Sequence, residues 1–555
     1  MNTTSWTRIR TVNGLLQETF EDAARAIGLV HGVEEYTICL QESIGFSTAK
    51  ELRQVFTTLI LHGAPACALW EIFQDDLAAD FASNLAQSAA VNAALKSIDL
   101  MLHKHGRSTD KNGLPKVHHE NTEYDRLLGA FDRHEMQELA DQLIPQLTQE
   151  QKTVFDAITS SVIQQEGGVY MIDAPAGTGK TFTETTIAAS LRARGTLVLC
   201  TASTGIAALI LSGGLTAHST FKLPFGPDAV SGSTCNIKAE SQRAGVLKQA
   251  GLLIWDECPM SSKYAPEALD LTLRDLMNND LPFGGKAVVF SGDWRQCGPI
   301  VKFGTAKDVV DEAFLSSHLW KHVQRFRLTK SMRDRGDIPY AKIVLAVGEG
   351  DIEPVTLSDG STVTPLKHTS KDPAGSEHVC QIYGTTNFED LVEAVYPDLL
   401  QVNHNTFDDR GILARTNDSI DQINEYVLNM LPGEAQHEKS SDRLVTDDSE
   451  NMPEVVSVEY LNTVNVPGTP PHDLQLKIGA LIMFIRNINF DSGLVNGKKG
   501  VVRGLSAKVV DVEVIAEGFP IVKIPRICFE TQVGHKGLTF HRHQFPLFLF
   551  VYATP

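Results

Sequence analysis

Lys180 and Thr181 close the run GGVYMIDAPAGTGKTFT, residues 167–183, and their spacing from Gly177 and Gly179 is that of a phosphate-binding loop. The apolar stretch Val169 to Ile172 reads as a buried strand, and TETTIAASLRARG reads as the helix that follows the loop. In such a loop Ala176, Gly177, Thr178 and Gly179 turn backbone N–H groups towards the β- and γ-phosphates, and the helix N-terminus adds partial positive charge. Lys180 would reach the phosphates and the Thr181 hydroxyl would hold Mg2+. Ala174 stands where the strict pattern has glycine. The loop tolerates it if that position needs no positive φ, which leaves the tight geometry to Gly177 and Gly179.

Further residues along the chain fit the same chemistry. AGLLIWDECPM is an apolar strand with Asp256 and Glu257 at its end, a pair that divides the labour of ordering Mg2+ and polarising an attacking water. In KAVVFSGDWRQCGPI the strand is followed by Gln296, whose amide can sense a γ-phosphate or orient that water. Arg333, in FRLTKSMRDRGD, supplies a guanidinium of the kind that stabilises charge on a transferring phosphoryl group. Gln151, in LTQEQKTVFDAI, has an amide that can both donate to and accept from an adenine edge. The cofactors this set calls for are ATP and Mg2+.

Positioning these groups takes a particular scaffold. Four apolar strands with functional residues at their C-terminal ends, and helical patterns between them, predict an α/β fold with a parallel sheet wound on both faces. The strand in LVLCTASTGIAALIL is followed by Thr201, Ser203, Thr204, His218 and Ser219, small polar groups able to hold phosphates of a nucleic-acid strand. His218 reads equally well as a structural histidine.

The rest of the chain divides around that sheet. Residues 1–105 read as helical, with capping-box spacing at Thr19 and Asp22 and at Thr48 and Glu51. Residues 106–145 are a linker and lead-in helix, and 146–335 the ATP-binding lobe. Residues 336–432 with 542–555 are expected to form a second, incomplete lobe, and 433–541 an acidic loop and a small inserted β-barrel turning on Asn496-Gly497. Arg486, Lys498 and Lys499 make the barrel the best local basic surface of a chain whose formal net charge is −19. Bulk charge therefore does not hold this chain to nucleic acid, whereas a local groove can. The eight cysteines never take Cys-x-x-Cys spacing, so no zinc site or disulfide framework is indicated. No apolar run approaches a bilayer span, and no membrane partner is expected.

LTQEQ, APAGTGKT, TASTGIAAL, TAHSTF, IWDECPM, GDWRQ, LTKSMR, ILARTND, LKIGALIMFIRN, NGKKGVV and RHQFP together resemble the petite-integration-frequency DNA helicases of superfamily one, and most closely the branch encoded by Helitron transposons. The resemblance implies two RecA-like parallel-sheet lobes, an inserted SH3-like barrel, and a motor that moves 5′ to 3′ on single-stranded DNA and opens forked DNA, acting as a monomer. It implies that Gln151 reads adenine, that Lys180 and Thr181 hold phosphate and Mg2+, that Asp256 and Glu257 perform hydrolysis, and that Gln296 and Arg333 attend the γ-phosphate. Genome maintenance, including repair, recombination and telomere maintenance, comes with the family, as does a nuclear site of action, with mitochondrion or cytoplasm as alternatives. The family continues beyond QFPL into motifs like TINKSQGQT and ALSR, where this sequence reads FLFVYATP. On that reading the chain is truncated, hydrolysis is impaired while binding survives, and LFLFVY is an unpaired, aggregation-prone strand. The alternative is a catalytically weak ATP- and DNA-binding transposon remnant that acts through partners.

Overall fold

The computed structural model describes residues 10–12, 15–17, 33–44, 47–83, 85–105, 107–117, 123–224, 229–296, 298–301, 304–332, 345–351, 355–356, 362–363, 369–371, 377–379, 388–396, 412, 417–444, 458–466, 468–489, 493–506, 508–515, 520–533 and 538–549. The chain divides into two units, Met1–His118 with Thr385–Pro555, and His119–Gly384.

The N-terminal part of the first unit is mainly helical, as its periodicity predicts, but Thr11–Val12 and Leu15–Leu16, expected to be helical, form a short antiparallel pair. Its main helices are α1 (Val33–Ile44), α2 (Ala49–Leu61), α3 (Ala66–Leu77) and α4 (Gln87–Lys104). The Thr48 and Glu51 capping box starts α2, with Thr48 N donating to Glu51 Oε2 at 2.7 Å. Gly63, at φ 94°, follows its end. Leu52, Val55, Phe56, Leu59 and Ile60 fall on one face of α2 and are buried. The cap at Thr19 lies outside the described residues.

In the second unit α5 (Arg133–Leu143) and α6 (Gln149–Gln164) lead into the sheet. The main elements that follow are β1 (Gly168–Asp173), α7 (Lys180–Ala193), β2 (Val198–Ala202), β3 (Leu215–Thr216), β4 (Leu252–Asp256), α8 (Tyr264–Met277), β5 (Ala287–Gly292) and β6 (Val323–Arg327). The six strands form one parallel sheet in the order β3-β2-β4-β5-β1-β6. Alternate residues of β1 feed two cores, Val169 and Met171 on one face and Tyr170 and Ile172 on the other. A sheet buried on both faces needs such unbroken apolar strands, and it carries its functional residues beyond their C-terminal ends. Trp255, Phe290 and Phe314 pack in sequence through one core with tilted rings, centroids 5.9 Å and 4.8 Å apart.

The C-terminal part of the first unit is antiparallel. It contains α9 (Asn417–Met430) and strands β7 (Gln436–Lys439), β8 (Ser441–Leu444), β9 (Asp473–Leu476), β10 (Leu481–Phe484), β11 (Lys499–Leu505), β12 (Val509–Val514), β13 (Ile521–Pro525), β14 (Ile527–Val533), β15 (Leu538–Gln544) and β16 (Leu547–Leu549). A five-stranded sheet runs β13-β12-β11-β10-β16, beside a three-stranded sheet β8-β15-β14 and a pair β7-β9. The Asn496-Gly497 turn closes between β10 and β11 as expected, with Lys498 N donating to Val495 O and Gly497 at φ 89°.

Three expectations are corrected here. Residues 436–444, assigned to the acidic loop from 433, are strands, because β7 pairs with β9 and buried Asp442 on β8 meets Arg542 on β15. Residues 542–549, assigned to the second lobe, belong to the barrel sheets. The terminal apolar strand is paired, Ile482, Met483 and Phe484 lying opposite Leu549, Phe548 and Leu547. Among the described residues one parallel sheet is present, and every other strand pair is antiparallel. Most of 336–432 lies outside them.

Candidate active site

The loop after β1 owes its shape to a few residues. Gly177 and Gly179 adopt φ of 82° and 83°, which side-chain-bearing residues avoid. A Cβ on Gly179 would stand 2.3 Å from Gln151 Nε2. Ala174 is absent from the positive-φ positions, and its N–H donates to Gly292 O at 3.0 Å. The alanine at the first pattern position is thereby accounted for. Thr178 closes the turn on itself, its hydroxyl donating to Pro175 O at 2.7 Å.

Gln151 sits beneath this loop and is 2% exposed. Its Oε1 accepts from Thr148 N at 2.9 Å and its Nε2 donates to Thr178 O at 3.0 Å. One amide thus completes the capping box of α6 and braces the phosphate loop. Glu150 beside it accepts from Thr329 N and Thr329 Oγ1 at 2.8 and 2.6 Å, and Met332 N donates to Gly177 O at 2.7 Å. The LTKSM segment is therefore tied to the loop. Arg333 itself lies outside the described residues.

At the rim of the sheet Lys180, Asp256 and Glu257 are in mutual contact. The Lys180 ammonium lies 2.6 Å from Asp256 Oδ1 and 2.5 Å from Glu257 Oε1. Burial opposes its charge, but Asp256 and then Glu257 more than offset that, so the ammonium is held above its ordinary pKa. Asp256 Oδ1 also accepts from Ser291 Oγ at 2.9 Å and from Glu257 N at 2.8 Å. Glu257 takes the left-handed conformation, φ 54° and ψ 35°, where a non-glycine residue is strained. Its carbonyl accepts from Ser203 Oγ at 2.7 Å, and Ser203 Oγ accepts from Trp255 Nε1 at 3.0 Å. Ser203, read from sequence as a nucleic-acid contact, instead braces the turn that aims Glu257. Gly292 lines the opposite side, where a Cβ would stand 2.3 Å from Pro259 Cδ.

The other expected residues are placed as follows. Gln296 donates from Nε2 to Asp293 Oδ2 at 3.1 Å, and Arg295 links Asp293 to Asp173 at 3.0 and 3.1 Å. Thr181 occupies the first turn of α7. Thr204 caps the short helix Gly205–Ile210, its Oγ1 accepting from Ala207 N. His218 and Ser219 lie in Ala217–Phe221, and burial lowers the His218 pKa. Arg486 lies just beyond β10, Lys498 just before β11, and Lys499 opens β11.

Sequence reading missed Ser291 and Glu184. Ser291 lies on the strand beside Asp256, visible only once β4 and β5 are in register. Glu184 is fully buried four residues after Lys180 on α7, and burial, then Asp256, push its pKa well up. The signal was a carboxylate on a helical face otherwise taken by Ile187, Ala188 and Leu191.

The donor set suits a magnesium triphosphate. Mg2+ is commonly held by one or two carboxylates with phosphate oxygens, and Asp256 lies against Lys180, which Thr181 follows in the first turn of α7. Among the described residues no group of three His, Cys, Asp or Glu could form an all-protein cage.

The family model for PIF1-like helicase matches residues 146–357, and that for the DNA helicase Pif1 2B domain matches 459–505. Residues 146–357 thus resemble the core of a PIF1-like helicase. The PIF1-like match runs from the capping box of α6 through the carboxylate pair to Gln296 and beyond the LTKSM segment, while the 2B match covers β9, β10 and β11. Relatives include ATP-dependent DNA helicase PIF1 of Candida albicans, 28% identical over 405 residues, 71% of this chain and 39% of that protein. The human protein of the same name is 26% identical over 414 residues, 73% of this chain and 53% of the relative. The chain thus spans about half or less of these relatives. Crystal structures of Pif1 helicase from Candida albicans and of Bacteroides Pif1 in complex with ADP-AlF3 and ssDNA align with TM-scores of 0.45 and 0.48 at 23% and 21% identity. Each covers 73% of this chain, and 84% and 81% of those chains.

Proposed function

We propose that this chain is an ATP-dependent DNA helicase motor that moves 5′ to 3′ on single-stranded DNA and opens forks, at work wherever the DNA it serves is kept, in the nucleus or mitochondrion. The observation that carries the reading is the closure of Lys180, at the mouth of a glycine loop, onto Asp256 and Glu257 at 2.6 and 2.5 Å. A lysine ammonium flanked by two carboxylates at the C-terminal rim of a parallel sheet suits a metal-bound triphosphate.

In this reading the loop N–H groups and Lys180 take the β- and γ-phosphates. Thr181 and Asp256 would hold Mg2+, which would supply charge to shield the phosphates. Ser291 and the Glu257 N–H fix the Asp256 carboxylate, and the Ser203 bracket aims Glu257 as the base that polarises water. Gln296, held by Asp293, attends the γ-phosphate, and Gln151 keeps the loop in shape while offering its remaining N–H to adenine. Arg333 follows a segment tied to Gly177 and supplies the guanidinium. Thr204, His218, Ser219 and the barrel residues Arg486, Lys498 and Lys499 contact DNA. The test is ATP hydrolysis with and without single-stranded DNA, and strand separation on a fork. Wild type hydrolyses faster with DNA, and Glu257→Gln falls by roughly 10²- to 10⁴-fold while still binding nucleotide. Equal rates in the two proteins would overturn the assignment.

A further inference from the structure

The run GDWRQ sets Arg295 beside Gln296, two residues after Asp293. A guanidinium carries five donors in a rigid fork and can serve several carboxylates at once. Arg295 does so where three neighbouring strands end. Asp173 closes β1 and lies opposite Gly292 of β5 and Arg327 of β6. Arg295 Nη1 donates to Asp173 Oδ1 at 3.1 Å and to Asp293 Oδ1 at 3.0 Å, and the Arg295 backbone N–H donates to the same Asp293 oxygen at 3.1 Å. The other Asp293 oxygen accepts from Gln296 Nε2 at 3.1 Å. Asp293 is buried and Gln296 exposed, so a fixed carboxylate anchors a glutamine that reaches solvent.

A third carboxylate comes from outside the sheet. Residues 345–349 are helical, and the helix ends at Gly350, φ 75°, with Asp351 N donating to Ala346 O at 2.9 Å. Glu349 therefore sits in the last turn, where the carbonyl end of a helix disfavours negative charge. Two guanidinium groups compensate. Arg295 Nη2 lies 3.4 Å from Glu349 Oε1, and Arg327 pairs with the same oxygen. The approach is close, since a Cβ on Gly348 would stand 3.2 Å from Arg295 Cβ.

We propose that Arg295 is a positioning residue for Gln296. Secured by Asp173 and Glu349, it fixes Asp293, and Asp293 holds the Gln296 amide in the orientation that meets a γ-phosphate. A glutamine on an exposed turn otherwise loses rotamer freedom each time it engages a ligand. The anchor removes that freedom beforehand, so the preference for a triphosphate over a diphosphate depends on Arg295, which acts through its neighbours. This inference rests on the reading of Gln296 given above.

The experiment measures the affinity of the full chain, with Mg2+ present, for ADP and for a non-hydrolysable imido analogue of ATP. The proteins are wild type, Arg295→Ala, Gln296→Ala and the double variant. Each single change is expected to weaken analogue binding by about tenfold, as loss of a hydrogen bond to a charged group would, with ADP affinity unchanged. The double variant should bind no more weakly than Gln296→Ala, because Arg295 works through that residue. Glu349→Gln should narrow the preference by about two- to fivefold, the range of a partly exposed ion pair, and no change would overturn the part given to Glu349. Should Arg295→Ala fail to fold, Arg295→Gln takes its place with the same expectation. An arginine that only stabilises the strand ends would weaken both nucleotides alike or neither, and either result, or additive losses in the double variant, would overturn the positioning role. Analogue affinity unchanged in Gln296→Ala would remove the γ-phosphate reading and the inference with it. If binding follows the expected pattern but DNA fails to stimulate ATP hydrolysis by wild type, the positioning role stands and the motor reading fails.

Discussion

At Lys180 the chemistry is decided by competition among charges. The ammonium lies against two carboxylates, and a third, Glu184, is buried one helical turn along α7, with neither oxygen hydrogen-bonded. Burial and the nearby Asp256 hold Glu184 in its protonated form well above the usual carboxylate range. Unfolded, it titrates near 4.5, so above that pH the folded chain retains a proton that the unfolded chain releases. The stability this group contributes is full below the unfolded value and is lost as pH rises towards the folded one. Glu184→Gln should therefore raise the melting temperature at pH 8, by a margin that shrinks towards pH 4.5. A margin independent of pH would show that Glu184 is not protonated in the fold. Ser291→Ala tests the neighbouring contact. It removes the 2.9 Å hydrogen bond to Asp256 and should cost roughly 1–3 kcal/mol in the strength of the Mg2+-dependent nucleotide complex, read as weaker nucleotide binding.

Elements place these residues through caps and registers that a single sequence shows unevenly. Thr148 is the N-cap of α6 and shares its box with Gln151, which braces Thr178. Thr148→Ala should lower stability by about 1 kcal/mol and weaken nucleotide binding as the brace loosens, both measurable by melting with and without nucleotide. The capping boxes, the strand-loop-helix run and the Asp256-Glu257 pair were legible because their signals are local. Ser291 was not, because its meaning depends on β5 lying beside β4. Nor was the hold that Arg542 has on the barrel. Fully buried, it pairs with Asp442 at 2.6 Å and donates to the carbonyls of Leu461, Val464 and Pro470. The polar composition of the stretch from 433 made it read as an acidic loop. Asp442→Ala strands that guanidinium and should destabilise the barrel by about 3–5 kcal/mol, a change visible in chemical denaturation.

Over the whole molecule, the helices at one end of the chain and the barrel near the other share a core through Val509, although hundreds of residues separate them in sequence. Periodicity reports which residues turn inward but not what they meet, so this pairing had no local signal. In the proposed function, what links nucleotide and DNA is coupling between DNA binding and hydrolysis. That coupling is measured most directly by ATP turnover of the purified chain with and without single-stranded DNA, in wild type, Lys180→Ala and Glu257→Gln. The account predicts turnover stimulated by DNA in wild type, loss of nucleotide binding in Lys180→Ala, and nucleotide binding without turnover in Glu257→Gln. Turnover in Glu257→Gln equal to that of wild type, or a wild-type rate indifferent to DNA, would contradict it.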